Sequence, residues 1–363
     1  MKFPIHEIWI DEDATDAALT AEIVGKLPEA AVFRDEAARE RRKLLELEPD
    51  ALSRGKRILR LMTHKGAFIK PCPGTPEYVC CGLEILHIGQ GCPMDCRYCA
   101  LQTYFNRPVL EVFVNREDLF ERLENHLTAN PGFHRICTGE FTDSLALDSL
   151  TGLAASLVDF FSTRSNVNAT LEIKTKTDSV DSLPDLNPNG KVILAFSVNA
   201  ESISRSEELR AAPLERRIRA AVRAAERGYR LAFHFDPIIP FPGWEDAYGA
   251  TVSGIFANVD ASAIAWISLG VLRFAPELKT TVASRFGRIP YFHDGFLRGL
   301  DGKSRLHADR RIDIYRRLSR KIWAKCPNAR IYLCMESSHI WEQVTGMSMS
   351  DKSLADFLDA AVI

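Results

Sequence analysis

The chain has 363 residues, 46% of them hydrophobic and 26% charged, with a formal net charge of −2. That balance excludes a disordered chain and a protein that coats nucleic acid by bulk charge. The start Met-Lys-Phe-Pro-Ile-His-Glu lacks the apolar stretch of a secretory signal, and no run approaches the roughly 20 apolar residues of a membrane span, so a cytoplasmic protein with no membrane partner is expected.

Residues 32 to 47 read as a charged helix, closed by Pro49-Asp50. A basic stretch from Arg54 to Lys70 and a Pro- and Gly-rich run from Pro71 follow. Residues 1–78 are expected to form a helical and irregular leader packed on a catalytic domain. Beyond it, β-branched runs near 83–88, 133–138, 170–176, 192–198, 231–236 and 264–270 alternate with helical segments at 116–129, 149–162, 214–227 and 245–257. The helix from Leu214 is bounded by Pro213 and Gly228, with apolar positions Leu214, Ile218, Ala221, Val222 and Ala225. Such alternation predicts the α/β class, a partial (β/α)6 TIM-like barrel over 79–275. An extra strand near 109–114 decorates it, and residues 276–363 form an extension with a basic helix at 309–325 and a strand at 330–334.

In barrel strands alternate side chains enter the lumen. Lys174 and Lys176 share one such face, as do Ser197 and Asn199, and His234 and Asp236. Each set lies toward the C-terminal end of its strand, where closed barrels carry their sites.

Nine cysteines in a reducing compartment point to a metal centre and free thiols rather than disulfides. Cys92, Cys96 and Cys99 form a C-x3-C-x2-C pattern that can ligate three irons of one cubane and leave the fourth open. An open iron can hold and reduce a small molecule, which argues for an enzyme. The alternatives are a zinc knuckle or three unrelated buried thiols; zinc sites usually add a second C-x2-C or a nearby histidine, and here the nearest is His87, on a predicted strand. The spacing resembles the cluster motif of radical S-adenosylmethionine (SAM) enzymes, in which SAM chelates the open iron of a 4Fe-4S cluster. Tyr98, the aromatic residue before the last cysteine, would lie near the adenine.

From Gly89 to about residue 250 the chain resembles the spore photoproduct lyase family of radical SAM enzymes. The match runs through Cys-Arg-Tyr-Cys-Ala-Leu-Gln-Thr-Tyr (96–104), Ile136-Cys137-Thr138-Gly139-Glu140, Thr175-Lys176, Phe196-Ser197-Val198-Asn199, Pro213-Leu214-Glu215-Arg216-Arg217-Ile218, Asp236-Pro237 and Gly243-Trp244-Glu245. The resemblance implies a barrel of the radical SAM type, reductive cleavage of S-adenosyl-L-methionine and hydrogen abstraction from the substrate, in the family a thymine lesion of DNA. It further implies Cys137 as the hydrogen donor, Gly139 and Glu140 at the methionine ammonium, Lys176 at its carboxylate, and Ser197 with Asn199 at the ribose or carboxylate. A reductant such as flavodoxin or ferredoxin would be a partner.

Two departures stand out. A family tyrosine that passes hydrogen between the donor cysteine and the cofactor is replaced by Ala100, and no basic, aromatic C-terminal hairpin is evident. A radical SAM modification of RNA or a peptide therefore competes with DNA repair. A non-catalytic reading also stands: between Arg298 and Arg330 there are eleven Lys/Arg against three Asp, and Arg305, Arg310, Arg311, Arg316, Arg317, Arg320 and Lys321 could track phosphates around a structural metal. Cys72, Cys80, Cys81, Cys326 and Cys334 match no ligand spacing.

Overall fold

The computed structural model describes residues 3–75, 77–164, 167–185 and 190–362. Its centre is a curled sheet whose parallel strands follow one another along the chain: β1 (Glu84–Leu86), β2 (His134–Cys137), β3 (Ala169–Thr175), β4 (Val192–Ser197), β5 (Arg230–Ile238) and β6 (Ile264–Val271). β7 (Ile331–Leu333) continues it in parallel beyond β6, while Ile69–Pro71 pairs antiparallel with β1 at the opposite edge. The partial TIM-like barrel expected from the alternation is thus present, with β7 as a full member of the sheet rather than a decoration.

Helices α1 (Arg116–Ala129), α2 (Leu153–Thr163), α3 (Leu214–Glu226), α4 (Trp244–Asn258), α5 (Pro276–Phe286) and α6 (Ala308–Lys325) accompany it. The helix expected over 149–162 is divided at Gly152, whose φ of 60° suits glycine, and the Asp148 carboxylate accepts the Ala154 N–H (2.8 Å) at the start of α2. On α3 the buried face is Leu214, Arg217, Ala220, Ala221 and Ala224. The expected apolar stripe is therefore rotated to admit Arg217, and the small alanines let the helix approach the sheet. Leu171, Ile173, Phe196, Phe233 and Phe235 are buried in the core.

The leader departs from expectation. Ala31–Arg34 is a strand, so the charged helix begins only at Asp35. With Glu7–Ile10, Ile58–Met62 and Leu110–Phe113 it forms a parallel sheet, closed by Gly89–Gln90 in antiparallel fashion. Ile8, Ile10, Ile23, Leu59, Leu61 and Leu110 fill the core of this layer. The strand expected near 109–114 belongs here.

A second correction concerns the C-terminal extension. Phe296–Arg298 and Ser304–Leu306 form an antiparallel hairpin that also pairs with Arg273–Phe274 beyond β6. Its outer side exposes Leu297 and Leu300.

Candidate active site

The cysteine loop is held from three directions. Lys56 of the leader donates to the carbonyls of Cys92 (2.9 Å) and Met94 and lies 3.5 Å from Asp95. Arg285 of α5 pairs with Asp95 (3.0 Å) and donates to Gln102, whose amide in turn reaches the carbonyls of Cys96 and Arg97 at 3.1 Å. Asp95–Cys96 also pairs as a short strand with Glu208–Leu209. Burial pushes the Cys92 thiol up to about 12, Asp143 adding to the effect and Lys56 opposing it, and burial also raises Cys96 well above the usual thiol range.

The three sulfurs do not all lie within 4.8 Å of one another. A single tetrahedral zinc ion needs thiolate sulfurs about 3.8 Å apart. Three thiols, that of Cys96 buried and those of Cys92 and Cys99 partly so, at a more open spacing fit a multi-iron cluster better than one ion.

Next to this loop lies the segment that follows β2. A Cβ at Gly139 would stand 2.5 Å from the Lys174 Cβ and 2.9 Å from its carbonyl oxygen, so only glycine permits this approach to β3. Glu140 forms an ion pair with Lys174. Asp143 joins the segment to the strand end: its carboxylate accepts from the Lys176 N–H (2.7 Å), the Thr175 hydroxyl (2.8 Å) and the N–H groups of Leu145 and Ala146.

Cys137 ends β2, where register places it opposite Glu172 of β3. Its thiol faces the Glu172 carboxylate at 3.8 Å, and the Gly139 N–H points at the sulfur at 3.3 Å. Glu172 lies 3.2 Å from His234 Nε2, and His234 Nδ1 lies 2.7 Å from the Ser268 hydroxyl, giving a buried chain across the sheet. Burial drives the Glu172 carboxyl up, but His234 and Lys174 outweigh it and hold the group at about 2. Burial pushes the Cys137 thiol well above its ordinary range, aided by Glu172 and Glu140 against the pull of Lys174. Cys137 thus keeps its hydrogen. Burial pulls Lys174 down, but Glu140, Cys137 and Glu172 together raise it well above the usual lysine value, so it stays cationic.

Tyr98 is buried, with its hydroxyl on Glu208 and its ring 5.7 Å from the Lys176 ammonium. Glu208 also binds Lys176 (3.2 Å) and Arg217, and Arg217 donates to the Ser197 carbonyl (2.7 Å) and the Ser204 hydroxyl (2.9 Å). Asn199 is drawn away from the mouth: its amide donates to the Pro237 carbonyl (3.0 Å), while its oxygen accepts from Ala200 N–H and the Tyr248 hydroxyl. Ala100 is exposed. Glu172, Glu208, Arg217, Asp143, Lys56 and Arg285 escaped the sequence reading. Two of them had a signal: Glu172 shares the alternation of Lys174 and Lys176, and Arg217 lies in the matched run from Pro213 to Ile218.

On the far side, Arg273 grips Asp236 through two bonds of 3.1 and 3.0 Å and donates to Cys334 Sγ at 3.3 Å. A Cβ at Gly270 would meet that carboxylate at 2.6 Å, so glycine makes room for the pair. The basic residues of the extension are mostly committed: Arg305 to Asp301, Arg311 to Glu336, Arg310 to Asp294, Arg317 to Asp313 and Glu245, and Lys321 to Glu245. A phosphate along this face would therefore have to displace those acids, while Arg316 is held by the Gln343 carbonyl (2.7 Å).

A curled parallel sheet with a three-cysteine loop at the C-terminal ends of its strands defines the partial TIM-like barrel of the radical SAM class. The family model "Spore photoproduct lyase" matches residues 80–289, and the chain belongs to that family. Spore photoproduct lyase of Bacillus subtilis (strain 168) is 33% identical over 174 residues, 47% of this chain and 49% of the relative. That of Geobacillus sp. (strain Y412MC61) is 27% identical over 210 residues, 55% of this chain and 59% of the relative. The chain thus spans about half the length of the curated relatives it matches. A solved spore photoproduct lyase variant with bound AdoMet and dinucleoside spore photoproduct superposes with a TM-score of 0.81 at 22% identity, over 92% of this chain and 100% of that one. This likeness establishes the fold. Among the described residues no helix is long and apolar enough to cross a membrane.

Proposed function

We propose that the chain is a radical SAM enzyme that abstracts hydrogen from a thymine lesion in DNA and returns hydrogen from Cys137. The observation that supports this most directly is one short strand end. Lys176 stands beside Tyr98 and the cysteine loop, while Lys174, two residues earlier, stands beside the buried neutral thiol of Cys137. In this reading Cys92, Cys96 and Cys99 hold a 4Fe-4S cluster. The chemistry such a cluster would supply there, with S-adenosyl-L-methionine bound, is reductive cleavage of the sulfonium.

The chain's own residues orient the reactants. The Gly139 carbonyl and Glu140 would hold the methionine ammonium, Lys176 its carboxylate, and Ser197 the ribose or the carboxylate. Tyr98 takes a positioning role, because its hydroxyl is already given to Glu208. Asn199 fixes the loop after β4 through its saturated hydrogen bonds. Glu172 faces the Cys137 S–H and orients it.

The hairpin with exposed Leu297 and Leu300, continuous with Arg273 beside Asp236, supports a substrate larger than a metabolite. That solved relatives bind dinucleoside spore photoproduct favours DNA over RNA or a peptide. We further assign residues 1–78 as leader, 79–275 as the catalytic half-barrel, and 276–363 as an extension that lends it β7, and propose a cytoplasmic enzyme reduced by flavodoxin or ferredoxin.

The test is anaerobic reconstitution with dithionite and SAM. The native protein should form 5′-deoxyadenosine, Cys92→Ala should form none, and Cys137→Ala should still cleave SAM yet fail to restore thymine from dinucleoside spore photoproduct. An iron-loaded protein that forms no 5′-deoxyadenosine defeats the reading. Cleavage of SAM without thymine release transfers the substrate to another class.

A further inference from the structure

At the opposite end of the barrel from the cysteine loop, three side chains from three elements converge. Glu84 opens β1, His134 opens β2 and His126 sits in the last turn of α1. His126 Nε2 is 2.9 Å from one Glu84 carboxylate oxygen, and His134 Nδ1 is 2.8 Å from the other. Among the described residues this is the only trio of His, Cys, Asp or Glu whose ligand atoms all lie within 4.8 Å of one another.

We propose that Glu84, His126 and His134 form a site for a divalent transition ion of the zinc type, distinct from the cysteine loop and structural in role. Two imidazoles and one carboxylate are a standard zinc donor set, with water as the fourth ligand. Tetrahedral ligands at about 2.0–2.1 Å stand about 3.3 Å apart, so the two present N···O distances need to open by only a few tenths of an ångström. One outer contact suits the role as it stands. His134 Nε2 lies 2.8 Å from the Asn130 carbonyl, which can only accept, so this nitrogen carries an N–H, and Nδ1, now 2.8 Å from the Glu84 carboxylate, would exchange its proton for the ion. Asn130 touches the other ring as well, its side-chain amide lying 3.4 Å from His126 Nδ1, and that amide would turn away once Nε2 binds the ion and Nδ1 carries the N–H.

Partial exposure of the three side chains, 24% for Glu84, 25% for His126 and 13% for His134, leaves a path for the ion and its water. Bound there, the ion would pin the end of α1 to the starts of the first two barrel strands.

The experiment is a chelator-competition titration of the iron-loaded protein with Zn2+, followed by zinc K-edge X-ray absorption. One equivalent should bind with two imidazoles and oxygen in the first shell and no sulfur. The melting temperature should rise with zinc, and 5′-deoxyadenosine formation should stay unchanged. His126→Ala, at a part-exposed helix end, should weaken binding by at least about 100-fold, and Glu84→Gln should abolish the zinc-dependent rise in melting temperature. Sulfur in the zinc shell, unaltered affinity in His126→Ala, or no binding at micromolar zinc would each overturn the assignment.

Discussion

The lumen of the half-barrel and helix α6 are both dense in charge, yet they use it in opposite ways. Glu172, Lys174, His234, Glu208 and Arg217 are buried or nearly so, each against a partner from another element. Arg317 and its partners Asp313 and Glu245 are 36–55% exposed, as are Arg310 and Asp294 at 44% and 50%. A buried charge that loses its partner is stranded in a poor solvent for ions, whereas an exposed one returns to water. Charge density along a sequence therefore says little until the partners are located. The eleven cations between Arg298 and Arg330 are partly neutralised by Glu245 and Glu336, which lie outside that stretch.

The sharpest break between the two regions should appear at Glu208. Glu208→Gln leaves the fully buried Arg217 guanidinium without its counter-charge and loosens Lys176 and Tyr98 together. A loss of about 3–5 kcal/mol in urea unfolding is expected. A loss below about 1 kcal/mol would place Glu208 with the surface pairs. Gly139→Ala comes next, because its new methyl meets backbone and Cβ atoms of Lys174 that cannot swing aside. Overpacking of this kind costs about 1–3 kcal/mol. SAM affinity, measured by calorimetry, should fall with it as the Glu140 segment is displaced from β3.

The sequence carried the half-barrel because its strands are long runs of β-branched and apolar residues that alternate with amphipathic helices, a signal set by the chain itself. It also carried Cys92, Cys96 and Cys99, whose spacing is local, and the polar face of Lys174 and Lys176. What stayed hidden depends on contacts across the chain. Val32 and Phe33 join a strand only because Glu7–Ile10 lies beside them, and helix periodicity competes over the same residues. The hairpin has arms of three residues each, too short for an alternation signal, although Gly299 and Gly302 in its turn were a usable cue. Arg217 lies outside the apolar stripe expected for α3, yet it is fully buried because Glu208 and the Ser197 carbonyl meet it. Lys56 and Arg285 come from opposite ends of the chain, and no local pattern links either to the cysteine loop.

A pH titration sharpens the contrast further. Burial, with Lys70 and His64 nearby, lowers the pKa of His87 from 6.5 to about 3. Its ring packs edge-on against His64, Phe113 and Phe141. The folded state keeps the ring neutral, whereas the unfolded chain takes up a proton below about 6.5, so unfolding gains from acid. The stability is present above that value and drains as the pH falls toward about 3. The native protein should lose about 1 kcal/mol from this group by about pH 5.5, and His87→Phe should flatten that limb in urea unfolding at stepped pH. A native curve that is already flat between those values would remove His87 from the buried, charge-sensitive region.

The smallest effect belongs to α6. Arg317 donates to Asp313 at 2.8 Å and to Glu245 at 2.9 Å, and all three side chains are at least 36% exposed. Removing it in Arg317→Ala hands two carboxylates back to water, so the melting temperature should not move. The same variant tests the phosphate-track alternative through a different observable. If α6 followed a nucleic-acid backbone, losing Arg317 would lower the slope of log affinity against log salt by about 1. Because its guanidinium is already shared between two acids, the slope should stay as it is in the native protein. A reduced slope would mean that a nucleic acid can displace Asp313 and Glu245, and α6 would then be a binding face.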